Sequence, residues 1–179
     1  VLLQTLDSAG DVLVQGNVAA ATGAITVTAG RAVSVGANIQ TGGAGTITAT
    51  AQGTTLTVTD GKLISSGGGT ITLAAASTLT VTGVNATASG DVVLSAGTGS
   101  ILDGGDTNPD VVGQDLSFTA GSAVGQLGTG ANALEITAST LTASAGAGGI
   151  SVLSSGALAL EGLSTTGGGS IVVQTTAGS

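Results

Sequence analysis

The sequence predicts an all-β chain, a right-handed parallel β-helix (three-sided β-solenoid) of about eight coils of 16–24 residues. Two observations support this prediction. A unit made of a Gly-rich turn and a strand with alternating apolar residues recurs about every twenty residues along the chain. The composition, with 33 Gly, one Pro and one Phe, suits narrow coils joined by tight corners.

The first apolar residue of each unit is taken to mark the start of a coil. These residues lie 16–24 positions apart and are Ile25, Ile47, Ile71, Val92, Leu116, Leu134, Ile150 and Ile171. Because successive side chains of a strand point to opposite faces, alternate residues are expected to point into the coil. The predicted inward set is Ile25, Val27, Ile47, Ile71, Leu73, Val92, Leu94, Leu116, Phe118, Leu134, Ile136, Ile150, Val152, Ile171 and Val173.

Each coil contains two further strand signals, which together predict three sides. The second strand is predicted at Val33/Val35, Leu56/Val58, Leu79/Val81 and Leu158/Leu160, and the third at Ile39, Leu63, Val84 and Leu163. The N-terminal residues Val12, Val14, Asn17 and Val18 lie 21 positions before Val33, Val35, Asn38 and Ile39. We therefore expect Asn17 and Asn38 to stack at one corner.

The composition excludes several functional classes. Two basic residues against ten acidic ones give a net charge of -8, which is unsuited to binding nucleic acid or anionic lipid. No stretch is apolar enough for a membrane-spanning helix, and one Phe cannot form aromatic girdles, so no membrane insertion is expected. Without His or Cys, the commonest catalytic bases and metal ligands are missing, and we assign no catalytic residue, no cofactor and no metal.

Two strings resemble a known group of proteins. Residues 90–101, Gly-Asp-Val-Val-Leu-Ser-Ala-Gly-Thr-Gly-Ser-Ile, and residues 67–75, Gly-Gly-Gly-Thr-Ile-Thr-Leu-Ala-Ala, resemble β-helical repeats of filamentous-haemagglutinin-like exoproteins. They also resemble the giant β-strand-repeat surface proteins of bacteria. The resemblance implies a structural or adhesive rod that is secreted or displayed on the bacterial cell surface.

The chain is interpreted as a single solenoid segment, 1–179, of a longer protein. It begins without Met, and no cap is evident at Leu2 and Leu3 or at the strand Ile171-Val172-Val173. A solenoid buries its core only between coils, so uncapped ends expose strand edges. The expected partners are neighbouring coils of the same chain, other copies bound end to end or laterally, and the surface of a host or neighbouring cell.

Residues 102–114 interrupt the coil spacing and are predicted to form a loop insertion. Three of them have the alternating spacing of a calcium loop: Asp106, Asn108 and Asp110. Val111 stands where the turn Gly of that motif belongs, and Ser117 where its closing Glu belongs. A solvated loop extruded from the solenoid is therefore the preferred interpretation.

Two other functions are alternatives to a structural or adhesive rod. A solenoid enzyme active on polysaccharides would group its carboxylates, whereas the acidic residues here are dispersed and are interpreted as solubilising charge: Asp7, Asp11, Asp60, Asp91, Asp115, Glu135 and Glu161. An ice-binding face would use regular Thr arrays, predicted on one side at Thr26/Thr28, Thr46/Thr48 and Thr70/Thr72 and on another at Thr57/Thr59 and Thr80/Thr82. Thr is also common on any strand that faces water, so the rod is preferred.

Overall fold

The computed structural model describes residues 1–105, 108–127 and 132–176 and shows parallel strands stacked as a β-solenoid of about eight turns. The predicted fold class is thereby confirmed. Among the described residues, helical conformation is limited to a 3-10 turn at Thr87–Ser89 and to Asn132. No helix in these ranges has the length and hydropathy needed to cross a membrane.

Strands are numbered along the chain. The first sheet has eight strands, one from each coil, and every neighbouring pair is parallel. In stacking order they are β1 (Leu2–Gln4), β4 (Ile25–Ala29), β7 (Ile47–Ala51), β10 (Ile71–Ala75), β13 (Val92–Ala96), β16 (Asp115–Ala120), β19 (Thr140–Ala145) and β21 (Ala159–Thr165).

The other two sides of the coil form two rows of strands in one continuous sheet. The second row is β2 (Val12–Val14), β5 (Val33–Val35), β8 (Leu56–Val58), β11 (Leu79–Val81), β14 (Ile101–Asp103) and β17 (Ala123–Val124). The third row is β3 (Val18–Ala20), β6 (Ile39–Thr41), β9 (Ile64–Ser66), β12 (Val84–Asn85), β15 (Val111–Val112) and β18 (Leu134–Thr137). The longer β20 (Gly149–Ser154) pairs with both β17 and β18 and so joins the rows, and β22 (Ile171–Thr175) pairs with β20.

The alternation in the sequence explains which side chains are inside. In β4, Ile25, Val27 and Ala29 are buried while Thr26 and Thr28 are only half-buried. Inward residues of successive coils stack in columns, such as Ile25, Ile47, Ile71, Val92, Leu116 and Leu141. Phe118 fits because its column places Leu94 on one side and the small Ala143 on the other.

Thirteen of the fifteen residues predicted to point inward are buried, which confirms that part of the prediction. The exceptions lie in β22, where Ile171 is exposed and Val173 is half-buried. No described strand covers the outer side of β22, so the core side of this strand remains partly open to water.

The coil starts predicted after Leu116 are wrong. In the first sheet, Leu116 pairs with Leu141 of the next coil, and Leu141 pairs with Leu160 of the coil after that. Leu134 instead begins β18 in the third row, where Ile136 pairs with Val111. Ten positions separate Val124 of the second row from Leu134 of the third, against four between Val35 and Ile39. An alternating pattern does not reveal to which row a strand belongs. Paired residues of the first sheet are 19–25 positions apart, not 16–24.

Two other strand assignments need correction. Ile64, not Leu63, is the buried third-row residue, because the turn at Asp60 and Gly61, where Gly61 has a φ of 71°, lengthens that corner. Leu160 and Leu163 lie in β21 of the first sheet and Leu158 directly precedes it, so none of them supplies a second or third strand. The last coils have the continuous β20 where earlier coils have two short strands.

The predicted stacking of Asn17 on Asn38 is confirmed. The Asn38 backbone N–H donates to Asn17 Oδ1 at 3.2 Å, and the Leu63 N–H donates to Asn38 Oδ1 at 3.0 Å. Each carboxamide oxygen thus accepts a hydrogen bond from the equivalent corner residue of the next coil.

Replacing Asn38 by Ala is expected to lower the free energy of unfolding by about 1 kcal/mol, because the partly buried Leu63 N–H loses its acceptor. Asn17→Ala is the matched control, since the Asn38 N–H that it would release is exposed and can bond water instead. Urea titrations of both variants test this expectation. Equal costs for the two substitutions would contradict it.

Candidate functional site

The corner between the second and third rows carries a series of equivalent positions, here called the corner ladder. Each position immediately precedes an aligned third-row residue, and the ladder consists of Asn17, Asn38, Leu63, Gly83, Asp110 and Glu135. In this ladder the residue at position 110 is an Asp, where two earlier coils have Asn.

Asp110 makes the same bond as the ladder asparagines. Its Oδ2 accepts the Glu135 backbone N–H at 2.9 Å, its own N–H donates to the Glu135 carbonyl at 2.8 Å, and its carbonyl accepts the Val84 N–H at 2.7 Å. The side chain is fully buried, with 0% of its surface exposed. Its second oxygen, Oδ1, is also buried and has no hydrogen-bond partner in the described part of the chain.

Two more carboxyl groups face Asp110. Asp103 ends β14 on the other side of the corner; its Oδ1 accepts the Gly105 N–H at 2.8 Å, while its buried Oδ2 lacks a partner within the described ranges. Glu135, one coil further, is only 8% exposed. One oxygen from each of the three groups lies within 4.8 Å of the other two. We call Asp103, Asp110 and Glu135 the carboxylate cluster.

The surroundings of the cluster oppose ionisation of its central member. Burial raises the pKa of Asp110 to about 9, and the negative charges of Asp103 and Glu135 act in the same direction. The hydrogen bond from the Glu135 N–H opposes this shift but does not cancel it. At neutral pH the cluster therefore favours retention of a proton or association with another positive charge.

The structure changes the interpretation of the predicted calcium loop. Asp106 lies outside the described residues, and Asn108 is exposed. Asp110 is a buried member of the corner ladder and does not lie in a solvated loop, so that prediction is wrong for this residue. Its carboxylate neighbours come from the end of β14 and from the next coil instead of from alternate loop positions. Val111 is buried in β15, and Ser117 is exposed on β16.

Glu135 was predicted to be solubilising surface charge, and this prediction is wrong because the residue is buried. The error follows from the misplaced coil start at Leu134, which gave no reason to align Glu135 with Asp110. A usable signal was present: Asp110 precedes Val111 as Asn38 precedes Ile39.

The other acidic residues fit the predicted role of solvated charge. Asp11 pairs with Arg31 of the next coil, with the Arg31 Nε 2.7 Å from Asp11 Oδ1, and this hydrogen bond lowers the pKa of Asp11. Asp7 accepts the Ala9 N–H, and Asp115 accepts the Thr140 hydroxyl. Asp60 lies at a turn, Asp91 directly precedes a strand, and Glu161 is exposed in β21.

The Thr arrays are shorter and less regular than the sequence suggested. On the first sheet, the central outward column runs through Thr26, Thr48, Thr72, Val93, Ser117 and Thr142. Thr28 aligns with Thr50, not with Thr46, so the predicted pairing of those columns is wrong. On the second row Thr57 does align with Thr80, but Thr82 is buried and its hydroxyl donates to the Thr59 carbonyl at 3.1 Å.

The third row carries an open groove of about 590 Å³ on its outer side. Its walls include Gln40, Thr41, Ser65, Ser66 and Asn85, which offer amide and hydroxyl groups but no charge. Such a lining is typical of a hydrated lateral surface.

Exposed large apolar side chains concentrate at the two ends of the stack. At one end they are Val1, Leu2, Leu6 and Leu13, and at the other Leu160, Ile171 and Val172. Among the described residues, Val93 is the one large apolar side chain exposed on a middle coil. Leu160 and Ile171 occupy inward positions of their strands, whereas Leu2, Leu13 and Val172 occupy outward positions. The terminal coils therefore expose more apolar surface than the middle coils.

These features define the chain as a parallel β-solenoid repeat protein whose terminal coils expose apolar side chains. Comparison with models of protein families, with curated proteins and with solved structures gives no match.

Proposed function

We propose that the chain is a rod segment of a secreted or cell-surface bacterial repeat protein, which acts through its extended shape and its surface and not through catalysis. The observation that carries this proposal is the exposure of apolar residues in the terminal coils. Of the eight large apolar residues exposed in the described part of the chain, seven lie in these coils, and two of them, Leu160 and Ile171, occupy inward positions. Such ends suit continuation by further coils, whether of the same chain or of a second copy.

The strand edges support the same conclusion. β1 ends the first sheet on one side and β21 ends it on the other, so one edge of each strand has no paired neighbour among the described strands. An open edge presents backbone N–H and C=O groups that another strand can bind. Stacking a further coil on it would pair these groups and bury the apolar side chains beside them.

The charge on the sides of the rod disfavours association of two copies side by side. The chain carries ten acidic residues and two basic ones, and Asp60, Asp91 and Asp115 lie at the surface of middle coils. Two rods placed side by side would repel each other, particularly at low salt. We therefore expect association along the long axis to dominate.

Sedimentation of the full chain at a series of concentrations tests this proposal. The weight-average mass of the wild type is expected to rise with concentration, and Val173→Lys to weaken association by at least about tenfold, because it places a charge on the open end. Val93→Lys is the matched control, since it makes the same change on the side of a middle coil, where Val93 is exposed. A strictly monomeric wild type, or equal effects of the two variants, would contradict end-to-end assembly.

A further inference from the structure

We propose that the carboxylate cluster of Asp103, Asp110 and Glu135 binds a hard divalent cation, Ca²⁺ in preference to Mg²⁺, and that this ion fastens the end of β14 and the start of β15 to the next coil. This proposal is independent of the rod function. It rests on the geometry of the cluster and on the place of Asp110 in the corner ladder.

The first argument concerns buried oxygens that need a partner. Asp110 Oδ1 and Asp103 Oδ2 are buried, and no described group donates a hydrogen bond to either. A buried carboxylate oxygen without a donor is costly unless a cation or a proton satisfies it. Both oxygens belong to the cluster in which three carboxyl groups converge within 4.8 Å.

The second argument comes from comparing coils of the same chain. Asn17 and Asn38 accept the N–H of the next ladder residue through Oδ1, and Asp110 does so through Oδ2. An Asn at position 110 could make that structural bond without burying an ionisable group. What Asp adds at this position is negative charge, directed toward two other carboxyl groups.

The donor set and its spacing favour calcium. All three groups offer carboxylate oxygens, which are the ligands of hard cations, and the chain has no His or Cys to favour softer metals. Two oxygens bound to one Ca²⁺ at about 2.4 Å can be up to about 4.8 Å apart, which spans the separations in the cluster. Mg²⁺, with bonds of about 2.1 Å, requires tighter convergence and usually uses only one or two carboxylates.

The positions of the ligands show what the ion would do. Asp103 is the last residue of β14 and Asp110 directly precedes β15, so an ion bound to both would join these two strand ends. Glu135 lies in the following coil, paired with Asp110. A single ion would thus link the two strand ends to each other and to the adjacent coil.

Calorimetric titration of the full chain with CaCl₂ at pH 7.5, after treatment with a chelator, tests the proposal. One saturable site is expected, with a dissociation constant between about 10⁻⁶ and 10⁻³ M, together with a higher melting temperature in Ca²⁺. Asp110→Asn is expected to keep the ladder bond but to weaken Ca²⁺ binding at least about tenfold and to remove the shift in melting temperature. Asp60→Asn, which removes the same charge from an exposed turn, is expected to bind as the wild type does.

Several outcomes would overturn the proposal. They are no saturable binding up to about 10 mM Ca²⁺, tighter binding of Mg²⁺ than of Ca²⁺, and equal losses from Asp110→Asn and Asp60→Asn. Circular dichroism will show whether Asp110→Asn has folded. If it has not, Asp103→Asn serves as the test, because Asp103 is only half-buried and lies at the end of its strand. The proposal requires the same tenfold loss from that variant.

Discussion

Replacing Ile71 by Asp is expected to unfold the central coils of the solenoid, at a cost of more than about 4 kcal/mol. Ile71 is fully buried and stacks between Ile47 and Val92, so a carboxylate at this position would be removed from water among apolar side chains. Because each coil is stabilised by its neighbours, the damage should spread beyond one coil. Far-ultraviolet circular dichroism and urea titration measure this loss.

Thr72→Asp is the matched control for this prediction. Thr72 is the next residue of the same strand, but its side chain points outward and is half-buried. The substitution loses some β-propensity, and we expect it to cost no more than about 1 kcal/mol. If both variants were equally destabilised, the inward and outward assignment of β10 would be wrong.

Much of the fold could be predicted because one local rule repeats. Alternation places Ile25 and Val27 inside and Thr26 and Thr28 outside, and Gly-rich corners recur between such strands. The 21-residue match between Asn17 and Asn38 even located a corner hydrogen bond. These features depend on near neighbours in sequence and on one period, so they are readable without coordinates.

The register after Leu116 could not be predicted in this way. Leu134 and Leu141 both begin alternating apolar segments, and either could follow Leu116 in the first sheet. The structure selects Leu141, because ten positions separate the end of β17 from the start of β18 where four separate β5 from β6. Additional loop residues cost little free energy, so corner length is weakly constrained by the repeat.

The carboxylate cluster was hidden by the same uncertainty. Asp110 and Glu135 are 25 positions apart and become neighbours only when the third-row register is known. Asp103 joins them because β14 ends and β15 begins at the same corner. Interpreting Glu135 as surface charge was reasonable for an isolated acidic residue, but burial depends on the register and not on residue type.

Without divalent cations, the free energy of unfolding is expected to fall as pH rises from about 4 toward 9. Asp110 supplies the reason, because burial raises its pKa to about 9 in the folded chain, against about 3.9 when unfolded. Between these values the folded state holds a proton that the unfolded state has released. Stability is therefore fully present below the unfolded pKa and is lost as pH rises through the folded pKa, by up to about 1.4 kcal/mol per pH unit.

Urea titrations of the wild type and Asp110→Asn from pH 5 to pH 8, with chelator present, isolate this contribution. The Asn variant can keep the bond to the Glu135 N–H, as Asn38 does with Leu63, but it cannot titrate. Asp11, whose pKa Arg31 lowers, contributes with the opposite sign and only at acid pH, since its stability is lost as pH falls through the folded pKa. The two proteins should be similarly stable near pH 5, and at pH 8 the variant should be more stable by a few kcal/mol. Parallel profiles would show instead that Asp110 ionises in the folded chain at no cost, and the charge in the corner ladder would then need a different explanation.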